Sequence, residues 1–453
     1  MKILLIEPGM EYPNVVANTG MHLGLLRIAA AIHSKYPQIE LVFWSAQFAK
    51  LSSSYPQTIV DVCKNWLPDC CFISALTCQI DEAYAYCKQL HTLGCKTVVL
   101  GGAFASSARH KCLENLPEFD YVTAGAGENP SVQIVEDILT SQTRHGVFLD
   151  NRSNVFSDAV FCERPLYEIF PHHIATEHKI NASIELSRGC NNNCSFCTLV
   201  ERSRGIAYET PQTAALYEKE FVELGYKKLM ICDDTFCINR EKTINQLNVM
   251  QSVNGSGLEK IVLTRIDLIT DDLVSLFLKH NVKEVMLGVE HVDSKMLQSM
   301  NKTRKPDTWT AKVVDALQRL SDNEIVAHPI YMLGWSGETQ SSLERLVDFA
   351  VEHGQNPFVQ PFVSFCTPHP GSGIWKHRKE LGLELLPASF ASYTHLSPVA
   401  YPTTLGNSDS ALRRLVEAHN RIRVETHVQG RNPVIDFNSA FIPGDMNKIL
   451  RWE

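Results

Sequence analysis

Two stretches of the chain alternate between short runs of β-branched and aromatic residues and longer runs with apolar positions three and four apart. In the first stretch, strand-like runs at 2–6, 40–44, 70–75, 97–100 and 121–123 are separated by helical patterns near 22–34, 59–66, 80–93, 105–115 and 129–140. Strand followed by helix, five times over, predicts a doubly wound, Rossmann-like parallel sheet covering residues 1–145. Periodicity is lost over 146–180, where Asn, Ser, Arg, Pro and His dominate, and this reads as a linker. A second alternation starts at 182, with strand patterns at 183–186, 228–232, 260–264, 284–289, 325–332 and 358–365. Helical patterns at 210–224, 240–251, 271–280, 307–320 and 338–353 fall between them. Six strand-helix units predict a partial (β/α)6 barrel over 181–375, followed by a C-terminal extension, 376–453, with one helix at 409–423.

Composition narrows the class without changing that architecture. The 453 residues suit two to three domains at roughly 150 each. Apolar residues at 44% and charged residues at 20% describe an ordinary globular chain. A net charge of −8 is a poor footprint for a phosphate backbone or an anionic membrane. The first residues carry only a four-residue apolar run, Ile3 to Ile6, and no stretch approaches a membrane span, so a cytoplasmic protein is expected. The odd count is 14 cysteines, which in a large cytosolic chain point to metal, catalysis or packing before disulfides.

Three of them stand together where the first barrel strand ends, in Leu186-Ser187-Arg188-Gly189-Cys190-Asn191-Asn192-Asn193-Cys194-Ser195-Phe196-Cys197. Gly and Asn accept the left-handed turns that let such a loop wrap one centre. Three thiolates with no fourth Cys or His at ligand spacing suit an iron-sulfur cluster with one open iron better than four-coordinate zinc. In the N-terminal sheet, small-residue turns at Gly101-Gly102 and Gly125-Ala126-Gly127 follow two strands. Ligands of such sheets bind there, although glycine also simply ends strands.

The cysteine spacing, with an aromatic before the third Cys, resembles the signature of the radical S-adenosylmethionine (SAM) superfamily. The similarity continues through the stretches 230–239, 264–267, 287–293, 332–339 and 367–372. These look like the landmarks of the subgroup with a cobalamin-binding-like domain ahead of the barrel. The resemblance implies that Cys190, Cys194 and Cys197 ligate a 4Fe-4S cluster and that SAM chelates the open iron. Electron transfer then cleaves SAM to a 5′-deoxyadenosyl radical. It also places Phe196 near the adenine and Glu290 near the ribose or methionine portion, a structural ion pair being the other reading of Glu290. Gly101, Gly102, Gly125 and Gly127 would belong to the cobalamin-binding-like domain. Asp233 and Asp234 replace the family's Gly-Gly-Glu stretch, either holding the methionine ammonium or serving as a helix cap and a solvated carboxylate. Arg265 either pairs with the methionine carboxylate or merely with Asp267. His328 is expected to be a satisfied core histidine, and Cys232, Cys237 and Cys366 to be buried.

Cobalamin proteins that ligate cobalt through histidine carry Asp-x-His-x-x-Gly after the first strand. Here 7–14 has no His, and His22 reads as an ordinary first-helix residue. Relatives without that histidine include both cobalamin users and proteins that dispense with it. The function implied is hydrogen abstraction from a small polar or natural-product substrate followed by cobalamin-dependent C-methylation, with flavodoxin or ferredoxin as reductant. A cobalamin-independent radical dehydratase or deoxygenase is the alternative, and a non-catalytic iron-sulfur or corrinoid carrier the rival from another class. Transfer-RNA methylthiotransferases share the triplet but add early ligand cysteines, whereas the first Cys here is Cys63.

Overall fold

The computed structural model describes residues 1–10, 21–64, 66–151, 166–199, 205–426 and 434–452. Its first layer is a six-stranded parallel sheet: β1 (Lys2–Glu7), β2 (Glu40–Ser45), β3 (Cys70–Ser74), β4 (Thr97–Gly101), β5 (Tyr121–Gly125) and β6 (Val147–Asn151). The spatial order is β2-β1-β3-β4-β5-β6. Strand alternation divides its side chains between two cores. Ile3, Leu5, Phe43, Phe72 and Val99 face helix α1 (Leu23–Lys35) and join a core that continues into the outer layer of the second domain. Leu4, Ile6, Trp44, Cys71 and Leu100 face the other way, toward helix α2 (Ile80–Leu93).

Three features depart from the sequence reading. β6 carries the sheet to Asn151, past the boundary read at 145; as an edge strand it stays half exposed, so its apolar signal is weak. The helix read over 105–115 is two short helices, Gly102–Ala108 and Lys111–Asn115, broken at Arg109 with φ 55°. The last barrel strand begins at Phe362, with only an isolated bridge at Val359. Of the linker read over 146–180, residues 152–165 lie outside the described residues, and the part after them holds two short helices, Leu166–Ile169 and His172–Glu177.

The second sheet is built from β7 (Ala182–Ile184), β10 (Lys228–Ile231), β11 (Glu259–Arg265), β12 (Val282–Glu290), β13 (Val326–Leu333) and β14 (Phe362–Phe365). Each parallel strand pairs with the next in chain order, and β7 and β14 do not close on each other, giving an open partial barrel. A short antiparallel ribbon, β8 (Ser187–Arg188) with β9 (Ala207–Tyr208), frames the loop carrying the cysteine triplet. The C-terminal extension adds a ribbon of β15 (Leu383–Leu385) and β16 (Ala400–Pro402) and a long helix, Ser408–Glu425. Its Phe390 and Trp452 rings lie 6.1 and 4.9 Å from Phe104, so it covers the second face of the N-terminal sheet. No described helix is long and apolar enough to cross a membrane.

Candidate active site

The loop between β8 and β9 is shaped by the two aspartates after β10. Asp233 Oδ1 accepts from the Leu186 and Ser187 amides at 2.7 and 2.9 Å, and its Oδ2 accepts from Ser187 Oγ at 2.6 Å. Burial pushes its carboxyl up to about 7 against the pull of those hydrogen bonds. Both oxygens are thus taken up by the chain itself, and the side chain is buried, neither a helix cap nor a solvated carboxylate. Asp234 Oδ2 accepts from the Gly189 amide at 2.7 Å, and Gly189 adopts φ 109°, a conformation that admits little but glycine. The aspartate pair fixes the entry of the chain into Cys190.

Beyond that entry, backbone and amide donors converge on sulfur. Cys190 Sγ accepts from the Asn192 amide at 3.4 Å and from Asn192 Nδ2 at 3.2 Å, and lies 3.4 Å from Thr235 Oγ1. Cys197 Sγ accepts from the Leu199 amide at 3.4 Å. Cys194 is buried, which raises its thiol, while the positive charges of Lys302 and Arg265 pull the other way. The far side of the loop is tied down by the Ser195 amide to the Met300 carbonyl at 2.8 Å and by Asn301 Nδ2 to the Asn193 carbonyl at 2.7 Å. Among the described residues no three His, Cys, Asp or Glu side chains close around one metal ion. A 4Fe-4S cube attaches each thiolate to a different iron, so its ligands stand wider apart, and donors aimed at sulfur fit thiolates held that way.

At the barrel mouth, Lys302 is the residue that sequence reading missed. Its Nζ lies 2.9 Å from Glu290 Oε1 with both side chains buried, and 5.9 Å from the Phe196 ring centroid. The pair lies over Gly288, where a Cβ would stand 2.7 Å from Nζ and 2.9 Å from Glu290 Oε1. Glu290 has φ 65°, rare for a residue with a side chain, and sits at a register shift between β12 and β13. The structure therefore shows Glu290 in a buried ion pair. Arg265 makes the plainer of its two contacts, to Asp267 at 2.9 and 3.2 Å, and also reaches the Lys302 carbonyl at 3.1 Å. Phe196 packs edge-on to Trp335, with centroids 6.3 Å apart. The turns after β12 and β13 are joined by His291 and Glu338, fully buried at 3.0 Å. No spacing rule in the sequence would have paired Lys302 with Glu290, because the short helix Ser294–Ser299 stands between them.

The glycine turns of the N-terminal sheet line a cavity of about 240 Å³ that opens toward the barrel. Gly101, Gly102, Gly125 and Gly127 form one wall, Ile28 of α1 another, and Arg188 and Asp234 contribute from the barrel side. At Gly102 the backbone has φ 90° and a Cβ would meet the Ala75 amide at 2.7 Å; at Gly127 it would meet Ile28 Cδ1 at 2.9 Å. A buried chain of charges ties this cavity to the cysteine loop. Arg27 of α1 contacts Glu209 and Glu185 at 3.1 Å each, Arg188 contacts Glu185 at 2.8 Å, and Arg188 reaches Glu128 at 3.0 Å. Burial works against the Glu185 carboxylate, and the charges of Arg188 and Arg27 still hold it below the usual carboxylate range. Cys232, Cys237 and Cys366 pack in apolar surroundings: burial raises Cys232 to about 12 and also raises Cys237 and Cys366. His22 caps α1, its Nδ1 accepting from the Leu25 amide at 3.2 Å.

Residues 184–350 match the radical SAM superfamily model. That stretch is accordingly a domain of radical SAM type, a class whose cofactors are a 4Fe-4S cluster and SAM, and the parallel sheet ahead of it completes the two-domain fold. Along 88% of this chain and 87% of its own length, an uncharacterized methyltransferase of Pyrococcus horikoshii is 23% identical. The ribosomal protein uS12 methylthiotransferase RimO of Citrifermentans bemidjiense is 26% identical over 60% of this chain and 59% of its own. Among solved structures, the radical SAM methyltransferase TsrM of Kitasatospora setae superposes with a TM-score of 0.70 at 15% identity, covering 93% of this chain and 90% of that one. TsrM has been solved with tryptophan and a SAM analogue, and with cobalamin and a [4Fe-4S] cluster.

Proposed function

We propose that this enzyme methylates a carbon of a small-molecule substrate, using a 4Fe-4S cluster held by Cys190, Cys194 and Cys197, SAM, and cobalamin seated on the N-terminal sheet. The observation that carries the reading is the juxtaposition of a cysteine loop rich in donors to sulfur with a glycine-walled cavity that shares Arg188 and Asp234 with it. A volume of about 240 Å³ is below the roughly 300–1,000 Å³ that encloses a drug-sized ligand, so the cavity would take only part of a corrinoid. When bound, the cluster supplies the electron that cleaves SAM, and cobalamin supplies the methyl group.

The chain's own residues do the rest. Asp233 and Asp234 hold the loop so that Cys190 meets the barrel mouth in one orientation. Asn192 and the Leu199 amide stabilise thiolate over thiol. Arg265 and Lys302 supply positive charge beside Cys194, where anionic groups of the cofactors would gather. Gly101, Gly102, Gly125 and Gly127 allow a close backbone approach by the nucleotide portion of cobalamin. Likeness to TsrM, a methyltransferase solved with cobalamin, supports methylation over elimination. A low-potential protein such as flavodoxin or ferredoxin is the reductant in this reading.

Anaerobic reconstitution tests it. The wild type is expected to bind four irons, to form 5′-deoxyadenosine or S-adenosylhomocysteine from SAM when reduced, and to show corrinoid absorption after purification from cobalamin-replete cells. A cluster that survives Cys190→Ala, Cys194→Ala and Cys197→Ala together refutes the ligand assignment. Absence of corrinoid at any stoichiometry refutes the methyl donor.

A further inference from the structure

Every second residue of the barrel strands points away from the helices, into the open interior of the sheet. On β10 to β14 these positions hold Met230, Leu263, Met286, Ile330, Met332 and Phe362, all partly exposed. Register places them side by side: Leu263 beside Met286, Gly288 beside Ile330, and Ile330 beside Phe362. Their neighbours of opposite parity, Val262, Val285, Leu287, Tyr331 and Val363, are the ones buried in the main core. Of the six, only Met332 packs against a core cluster, the one that includes Phe196 beside the cysteine loop. The interior is therefore an apolar wall under the cluster loop.

Toward the amino ends of these strands the same face carries charge. Lys228 and His328 both contact Glu284, which spans them with its two oxygens; the His328 contact is 2.9 Å. These hydrogen bonds hold the Glu284 carboxyl down to about 2. Met332 and His328 lie four residues apart on β13, so about 13 Å separates the rim from this charge. Between those levels the six side chains offer neither a hydrogen-bond donor nor a strong acceptor, and the hydroxyl on the same face, Ser364 Oγ beside Met332, is spent on the Tyr331 carbonyl at 3.0 Å. The thioethers of three strands and the Phe362 ring favour aromatic surface, since sulfur and ring edges attract.

We propose that the barrel interior binds an apolar, ring-bearing portion of the substrate, with any polar groups directed to the rim around Arg265 and Lys302. This deepens the function proposed above and rests on its placement of the reaction at the barrel mouth. Of the small polar and natural-product substrates expected from the sequence, it favours the second.

The test is equilibrium dialysis of the reconstituted holoenzyme with SAM against indole, with glucose as the polar probe. Wild type and Met286→Leu are expected to bind indole alike and to bind glucose more weakly. Met286→Gln and Ile330→Asn should each weaken indole by about tenfold, because each sets an unpaired amide against the ligand. Indole bound equally by the wild type and both polar variants overturns the proposal, as does tighter binding of glucose than of indole. Should circular dichroism show the polar variants unfolded, toluene competition on the wild type decides: displacement of indole supports the site and failure to displace overturns it. Iron content and cluster absorption are read on the same samples. A missing cluster with indole bound as expected defeats the function proposed above and leaves the apolar interior standing.

Discussion

Asp233 gives a stability signature that can be separated from every other carboxylate. Its ordinary value is 3.8 and burial moves it to about 7, so between those values the folded chain keeps a proton that the unfolded chain has lost. Stability from this group is fully present below pH 3.8 and is lost as pH rises through 7. The whole interval is worth about 4 kcal/mol at 1.36 kcal/mol per pH unit, and the two units between pH 5 and pH 7 about 2.7 kcal/mol. Asp233→Asn removes the titration while keeping the contacts: the amide oxygen accepts from the Leu186 and Ser187 amides, and the amide nitrogen donates to Ser187 Oγ. Thermal midpoints of wild type and variant, measured at pH 5 and pH 8, should therefore diverge, the variant gaining roughly 3 °C on the wild type at the higher pH, at about 2.1 cal/mol/K of unfolding entropy per residue. Glu284 and Glu185, held below the usual range, give slopes of the opposite sign that are common to both proteins and cancel in the difference. A difference in midpoint that is the same at both pH values would show that the carboxylate is stable as an anion at this site and would refute the argument.

Arg188→Met leaves Glu185 and Glu128 short of a buried partner and should cost about 3–5 kcal/mol, read as a fall in the thermal midpoint that Arg188→Lys only partly restores. Gly102→Ala forces a side chain into a backbone at φ 90° and against Ala75, costing at least about 1–3 kcal/mol; corrinoid retained per chain should drop with it. Lys302→Met strands the Glu290 carboxylate in a buried site; SAM cleavage should slow by more than tenfold at unchanged iron content, a ratio that corresponds to about 1.4 kcal/mol.

The layers were legible in the sequence because their periods are strict. β1, β3 and β4 carry apolar residues on both faces, as strands buried between helices must, and the helices between barrel strands keep their apolar stripe. What escaped was decided by position in the sheet or by contacts distant in the chain. β6 is an edge, so its outer residues need not be apolar. At the site, the cysteine loop was readable because Gly189 and the asparagines mark the turn they make. The role of Asp233 was not, because a carboxylate at a strand end looks the same whether it meets a ligand or two amides 46 and 47 residues away. Lys302 was invisible for the same reason: its partner lies across a turn, over a glycine whose need becomes apparent only when the space above it is filled. His328 was read as satisfied, yet its partner Glu284 comes from the neighbouring strand, which periodicity alone cannot name.

The chain of charges from Glu209 through Arg27, Glu185 and Arg188 to Glu128 is a costly way to join two domains. An apolar seam of the same size would hold them as firmly or more so, since desolvating five charged groups offsets most of their attraction. An apolar seam, though, tolerates sliding, while alternating charges lose a partner with any shift of register. The groups joined are those whose relative placement the proposed chemistry depends on: Glu128 follows the Gly125 to Gly127 wall of the cavity, and Arg188 immediately precedes Gly189 and Cys190. Gly371 adds a second constraint, its Cα lying so close to the Ser107 carbonyl that no side chain fits between them. Methyl delivery from one domain to a substrate held in the other requires a fixed distance, and register fixed by charge and by backbone contact provides it. A double-mutant cycle of Arg188→Met with Glu128→Gln should then show coupling above about 1 kcal/mol. Arg188→Met alone should release corrinoid faster than it loses iron, and equal loss of both would mean that the network stabilises the fold without setting the alignment.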